Sequence, residues 1–256
     1  MKNTLAILGK ELRIYFTTPI AYVVTAVYLL ITGYLFYNIV IFASMRSMQI
    51  MRVQGALPQI NLNDLVFRPT FHNMSVILML TLPLLTMRLI SEEKKIRTLE
   101  LLMTSPVSLT SIVMGKYLAA MTVFSLMLAM TGYMPLLMEV YGSLQWPPIL
   151  TGYLGIWLLG GVFIAVGLFA SSLTENQIIA SFLAFGMVLM LWLIGWLSQE
   201  LTDSPLGAVV TFLSIGEHTE NFIKGILDTQ DLIYQASIIV MGLFLTHRVM
   251  ESQRWK

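Results

Sequence analysis

"TGYLGIWLLGGVFIAVGLFASSLTENQIIASFLAFGMVLMLWLIGWLS", residues Thr151 to Ser198, holds a single charged side chain, Glu175. Its two apolar runs, 149–171 and 177–198, each approach the roughly 20 residues that a helix needs to cross about 30 Å of hydrocarbon. The polar step between them leaves room only for a short turn. The stretch therefore reads as two membrane-spanning helices returning on one another. Small residues stand four apart at Gly161/Ala165, Gly167/Ser171 and Ala180/Ala184, a spacing that lets helices approach closely. Static packing is favoured over a sliding surface as their use.

The rest of the chain fits that setting. It has 256 residues, 57% of them hydrophobic and 11% charged, with a mean hydropathy of +0.78; soluble domains carry about 25% charged residues. Further apolar runs fall near 20–42, 74–90, 112–138 and 232–247, making six spans and predicting an all-α membrane protein. With no soluble-sized polar block, 1–256 reads as one membrane domain. Bends are expected at Pro83 and at Gly132/Pro135. The N-terminal apolar run shows no cleavage pattern and is taken as retained.

Positive side chains stay preferentially in the cytoplasm. With both termini inside, only Arg46, Arg52, Arg68 and Lys224 of the 15 Lys and Arg residues fall outside, so an N-in, C-in topology is expected. A net charge of +1 suggests neither nucleic acid nor an acidic substrate. Ahead of the first span, Leu5, Leu8, Leu12, Tyr15 and Phe16 share one side of a helical wheel, as in a helix lying in the membrane interface, with lipid as its partner; Ile7 and Ile14 sit off the stripe. Between the last two spans, 207–227 reads as a partly inserted or surface-lying outer helix, whose Glu217, His218, Glu220, Asn221 and Lys224 are candidate contacts for a periplasmic partner.

Catalytic motifs are missing from the sequence. "LGKE" (Leu8 to Glu11) and "VMGKY" (Val113 to Tyr117) lack the upstream glycine and the hydroxyl residue of a phosphate-binding loop. The three histidines, His72, His218 and His247, lie far apart, there is no cysteine, and a metal site is not expected. No Asp or Glu lies deep inside a span, which argues against proton-coupled transport.

The densest charge follows span two, in "SEEKKIRTLELLMTSPVS", Ser91 to Ser108. Ser91 has the character of a helix N-cap with Glu92 and Glu93 in the first turn, and Glu93 and Arg97 are spaced to pair. Ile96, Leu99, Leu102 and Met103 form the apolar side, Pro106 stops the helix at Ser105, and a new helix starts near Ser108. A short amphipathic cytoplasmic helix is predicted.

"EEKKIRTLELLMTSPVSLTSIVMGK" resembles the intracellular loop of ABC-2-type transporter permeases, above all the gliding-motility-associated branch, where a Gly-Thr-x-Glu-Leu-Leu stretch leads into Ser-Pro-Val-Ser. "GLFASSLTENQIIASFLAFG", "LSIGEHTENFIKGILDTQDLIYQ" and "KELRIYFTTPIAY" extend the likeness. Arg97 stands where the family usually has glycine. The resemblance implies a non-enzymatic permease subunit in a bacterial inner membrane, paired with a second permease subunit and with separate ATPase subunits that carry ATP and Mg; this chain would bind no cofactor. Contact with the ATPase would fall on Glu92, Glu93, Lys94, Arg97, Thr98, Glu100, Leu101, Thr104, Pro106 and Ser108, with a second contact at Thr174, Glu175 and Asn176. The subunit would couple ATP use to export or force transmission. A stand-alone channel or carrier, or a scaffold for a periplasmic partner, are the alternatives.

Overall fold

The computed structural model describes residues 2–54, 62–100, 107–142, 144–200 and 212–253. Helix is the only regular structure among them. The helices are α1 (Lys2–Thr17), α2 (Pro19–Gln54), α3 (Arg68–Thr86), α4 (Arg88–Lys95), α5 (Leu109–Met130), α6 (Tyr133–Tyr141), α7 (Trp146–Leu173), α8 (Gln177–Glu200), α9 (Ile215–Ile223) and α10 (Thr229–Gln253), with a π-helical turn, Asn63–Phe67, leading into α3. Among the described residues, six stretches are long and apolar enough to cross a membrane: Pro19–Gln49, Asn63–Lys95, Leu109–Tyr141, Trp146–Leu173, Gln177–Gly195 and Thr229–Gln253. An even number of crossings returns the C-terminus to the face from which span one starts, here called the terminal face.

α7 occupies the centre, packed against α3, α5, α8, α9 and α10. It has no charged residue, and its glycines receive neighbouring side chains. A Cβ on Gly160 would lie 2.2 Å from the Phe124 ring, one on Gly155 2.4 Å from Phe222, and one on Gly167 2.1 Å from Thr86 Oγ1. Close approach of this kind maximises dispersion contact where water supplies no hydrophobic drive between helices. Gly161, Ala165, Gly167 and Ser171 all lie inside the bundle, so the small-residue pairs serve packing.

The irregularity expected at Gly132/Pro135 occurs, while the helix runs through Pro83 and is irregular only beyond it. In span three the helix breaks at Thr131–Gly132, between α5 and α6; Tyr153 of α7 donates its hydroxyl to the Thr131 carbonyl at 3.0 Å, so a neighbouring helix satisfies a backbone group at the bend. In span two the ladder is interrupted at Met87, four residues after Pro83.

Two local expectations are corrected. Ser91 does not cap a new helix: it lies within α4, which continues span two, and its hydroxyl donates back to the Met87 carbonyl. The helix instead ends just after Lys95, and Arg97 takes φ +57°, the left-handed conformation of a helix C-cap, donating from its N–H to the Lys94 carbonyl at 3.0 Å. In α1 the packed stripe is Ile7, Glu11 and Tyr15, while Leu5 is 61% and Phe16 46% exposed. The reason is the surface that α1 meets on α5. Gly115 leaves a notch there for Ile7, whose side chain would stand 2.8 Å from a Cβ at that position, and Lys116 draws Glu11 inward. The predicted stripe thus splits, Tyr15 packing on the bundle and Leu5 and Phe16 facing outward.

Candidate functional site

The terminal face carries a closed set of ion pairs built from three helices. Lys116 stands in the second turn of α5 and is 1% exposed. Its Nζ donates to Glu11 Oε1 of α1 at 2.8 Å and to the Leu89 carbonyl at 2.6 Å, and forms an ion pair with Glu93 Oε2 of α4 at 2.9 Å. Lys10 reaches the other oxygen of Glu93 at 2.9 Å. Two cations and two carboxylates leave the cluster neutral, which is what permits three of them to be buried. Burial lowers the affinity of Lys10 for its proton, but the hydrogen bond and charge of Glu93, with Glu11 behind it, outweigh this and raise its pKa. Lys10 therefore stays charged throughout the neutral range.

Around this cluster the same elements are pinned again. Tyr15 donates to the Leu85 carbonyl at 3.0 Å, and Arg88 donates to Thr18 Oγ1 at 2.9 Å while lying 5.7 Å from the Tyr15 ring centroid. Burial, then the charge of Glu11, pushes the Tyr15 hydroxyl pKa up. Ser171, at the end of α7, accepts from the backbone N–H groups of Ile90 and Ser91, both at 3.1 Å, and donates to the Met87 carbonyl at 2.8 Å. One hydroxyl thus fills the gap in the span-two ladder. Lys94 donates to the Ser172 carbonyl.

The residues predicted for a partner contact divide accordingly. Glu93 is buried and paired with Lys10 and Lys116, so the expected Glu93–Arg97 pair does not form; the left-handed Arg97 ends the helix whose continuation would have aligned them. Glu92 is half-buried against Arg88 at 3.4 Å. Arg97 and Glu100 are exposed and Thr98 is half-buried. Ser108 caps α5, its hydroxyl accepting from Ser111 N–H at 3.3 Å. Leu101, Thr104 and Pro106, with the expected stop at Ser105, lie outside the described residues. Thr174, Glu175 and Asn176 form the turn between α7 and α8, where Asn176 caps α8 by accepting from Ile178 N–H at 2.9 Å. Lys95 lines a cleft of about 470 Å³ together with Glu175, Asn176 and Gln177. The two segments separated by almost eighty residues in sequence therefore share one surface.

On the far face, α9 lies across α7 and α8. Ser214 caps it, and Gly225 at φ +86° turns the chain toward α10. Glu220 pairs with Arg68 at 3.1 Å and Lys224 at 3.6 Å, Glu217 is exposed, and α9, through Gly216, Glu217 and Glu220 among others, lines a cavity of about 330 Å³ with His72 and Trp192. His218 does not face outward: it is buried on Asp231, Nδ1 to Oδ1 2.6 Å, and Asn221 donates to the second Asp231 oxygen at 2.9 Å. The reason is the helical stripe Ile215, His218, Thr219 and Phe222, which turns His218 onto the bundle.

Sequence reasoning alone misses Lys10, Glu11, Lys116 and Asp231 as site residues. For the Lys116 cluster one signal is present: Lys116 is the sole charged residue in the run 112–138, and a charge inside an apolar span implies a partner.

Among the described residues, six apolar spans, one of them the uncharged central helix α7, with ion-paired layers at the two ends, define a polytopic α-helical membrane protein. The chain belongs to the ABC-2 family of transporter proteins, whose family model matches residues 5–247. Members are membrane subunits of transporters, not themselves catalytic, and normally work with an ABC ATPase. No curated protein matches the chain.

Proposed function

We propose that this chain is the permease subunit of an ATP-binding cassette transporter of the bacterial inner membrane, with cytoplasmic termini, close to the gliding-motility-associated branch in its loop sequence. A separate ATPase binds ATP and Mg²⁺ and docks on the terminal face, and a second permease subunit completes the membrane assembly. Nucleotide binding in the ATPase displaces the α4 end, and the subunit converts that displacement into export or force transmission.

The observation that carries this reading is the meeting of the α4 end with the 174–177 turn in one polar cleft, since the family resemblance implicates both segments independently. Lys95 lines that cleft and Arg97 and Glu100, just after it in sequence, are exposed, whereas Glu93 belongs to the internal cluster. The partner contact is accordingly assigned to Lys95, Arg97, Thr98, Glu100, Glu175 and Asn176. Lys94 holds the two segments together, Glu93 acts from beneath the surface, and Glu92, with its side chain 43% exposed, lies beside Arg88. The outward Glu217, Glu220 and Lys224 remain the proposed contacts for a periplasmic partner.

The test is co-purification of the ATPase with the full chain from native membranes. Lys95→Glu combined with Glu100→Lys reverses two exposed charges without touching the buried cluster, and is expected to reduce the recovered ATPase about tenfold at unchanged permease level. Undiminished recovery overturns the contact assignment; absence of an ATPase from the wild-type preparation overturns the function.

A further inference from the structure

The link between α9 and α10 contains a proton that both its acceptors need. His218 and Asp231 are 6% and 3% exposed. The imidazole is enclosed on every side: its Nδ1 meets Asp231 Oδ1 at 2.6 Å, its Nε2 meets the Phe212 carbonyl at 3.0 Å, and its face stacks on Tyr234 with centroids 3.9 Å apart. Tyr234 is itself tied to the Leu213 carbonyl at 2.6 Å, and Asn221 occupies the other oxygen of Asp231.

The Phe212 carbonyl accepts only, so Nε2 must carry a hydrogen. A hydrogen must also lie between Nδ1 and Asp231. It is satisfied equally by imidazolium beside carboxylate or by neutral imidazole beside carboxylic acid; the proton count of the pair is the same. Once that proton leaves, both tautomers fail. With hydrogen on Nδ1, the Nε2 lone pair faces the Phe212 carbonyl; with hydrogen on Nε2, the Nδ1 lone pair faces a carboxylate. Either arrangement sets unpaired acceptors against each other in a buried place, where such groups are costly.

We infer that His218 and Asp231 form a proton-dependent latch that holds the far-face helix α9 against the start of α10, closed when the pair keeps its shared proton and loosened as pH rises. Among the described residues, the nearby charges do not supply a substitute. On α9, Glu220 is engaged by Arg68 and Lys224, and Glu217 and Lys224 are exposed; on α10, Asp228 is exposed. α7 has no Asp, Glu, Lys, Arg or His, and α8 has none before Glu200. From α3, His72 is exposed and lines the cavity that α9 walls. Loosening α9 would therefore alter the 330 Å³ cavity built on Gly216, Glu217 and Glu220, giving the far face a response to external pH that is independent of any ATPase.

The experiment is hydrogen exchange of the full chain in nanodiscs at pH 5.5 and 8.5, expressed as protection relative to free amides at each pH. Amides of 217–224 are expected to lose about tenfold protection at the higher pH, the scale of one buried hydrogen bond to a charged group, while amides of α5 and α7 keep theirs. Asp231→Asn is the decisive variant: its amide can donate to Nδ1 while its oxygen still accepts from Asn221, so neutral imidazole satisfies every contact. Protection in Asp231→Asn should be the same at both pH values. Equal wild-type protection at the two pH values overturns the latch, as does an Asp231→Asn variant that keeps the wild-type pH dependence or a loss spread evenly over α5 and α7.

Discussion

Lys116 is where a single side chain decides whether three helices can meet. Its ammonium is the shared counterion of Glu11 and Glu93, and Lys10 compensates only the second of them. Removing Lys116 leaves two buried carboxylates around one partly exposed cation. Lys116→Met is therefore expected to cost about 3–5 kcal/mol, the usual penalty for orphaning a buried charge, seen as a lower unfolding midpoint of the detergent-solubilised chain. Adding Glu11→Gln removes the uncompensated anion and leaves the neutral Lys10–Glu93 pair, so the double variant should recover most of that loss. Equal midpoints for the single and double variants would show that the carboxylates do not share Lys116. At this scale the sequence disclosed less than its charges promised. Glu93 was legible as part of an important polar loop, and its helical spacing from Arg97 suggested a local pair. Its real partners lie 83 and 23 positions away, and no periodicity encodes which long-range cation a carboxylate meets.

At the scale of elements, the end of α4 is set by a residue poorly suited to it. Arg97 is the one non-glycine with positive φ among the described residues, and an L-residue in that region carries a cost of about 1–2 kcal/mol that glycine escapes at some expense in unfolded-state entropy. Arg97→Gly is expected to stabilise the chain by about 0.5–1 kcal/mol, read as a higher thermal midpoint; an unchanged or lower midpoint would mean that the guanidinium contributes contacts worth more than the strain. The same position explains why span lengths were legible and the loop helix was not. Six spans follow from long apolar runs, and the break near Gly132 from a glycine and a proline three positions apart. The α4 boundary depends instead on Ser171, whose hydroxyl comes from another helix to bond Met87, Ile90 and Ser91. Ser91, with acidic residues following, has the composition of a cap, but inside a continuing helix the same hydroxyl bonds back to the preceding turn.

At the scale of the whole molecule, the spans divide into an inner and an outer set. Spans two and four bury 78% of their apolar windows, whereas α8 buries 17% and the first span 22%. Hydrocarbon satisfies an exposed apolar helix, so exposure alone does not call for a partner. α8 adds a more specific feature. Ile178, Phe182, Gly186 and Met190 stand four apart on its outward side, and a Cβ on Gly186 would meet nothing within 4 Å. A lipid-facing helix gains nothing from glycine, which costs about 1 kcal/mol relative to alanine in a helix interior; between two closely approaching helices it provides the gap that such packing uses. If the proposed second permease subunit is a second copy of this chain, α8 is the helix expected to meet it. Because the chain has no cysteine, single substitutions report without background. Phe182→Cys should form a disulfide-linked dimer in membranes under mild oxidation, whereas Val240→Cys, 65% exposed on α10, should not. A dimer formed through Val240 and absent through Phe182 would move the second copy to α10, and would leave Gly186 without a packing role.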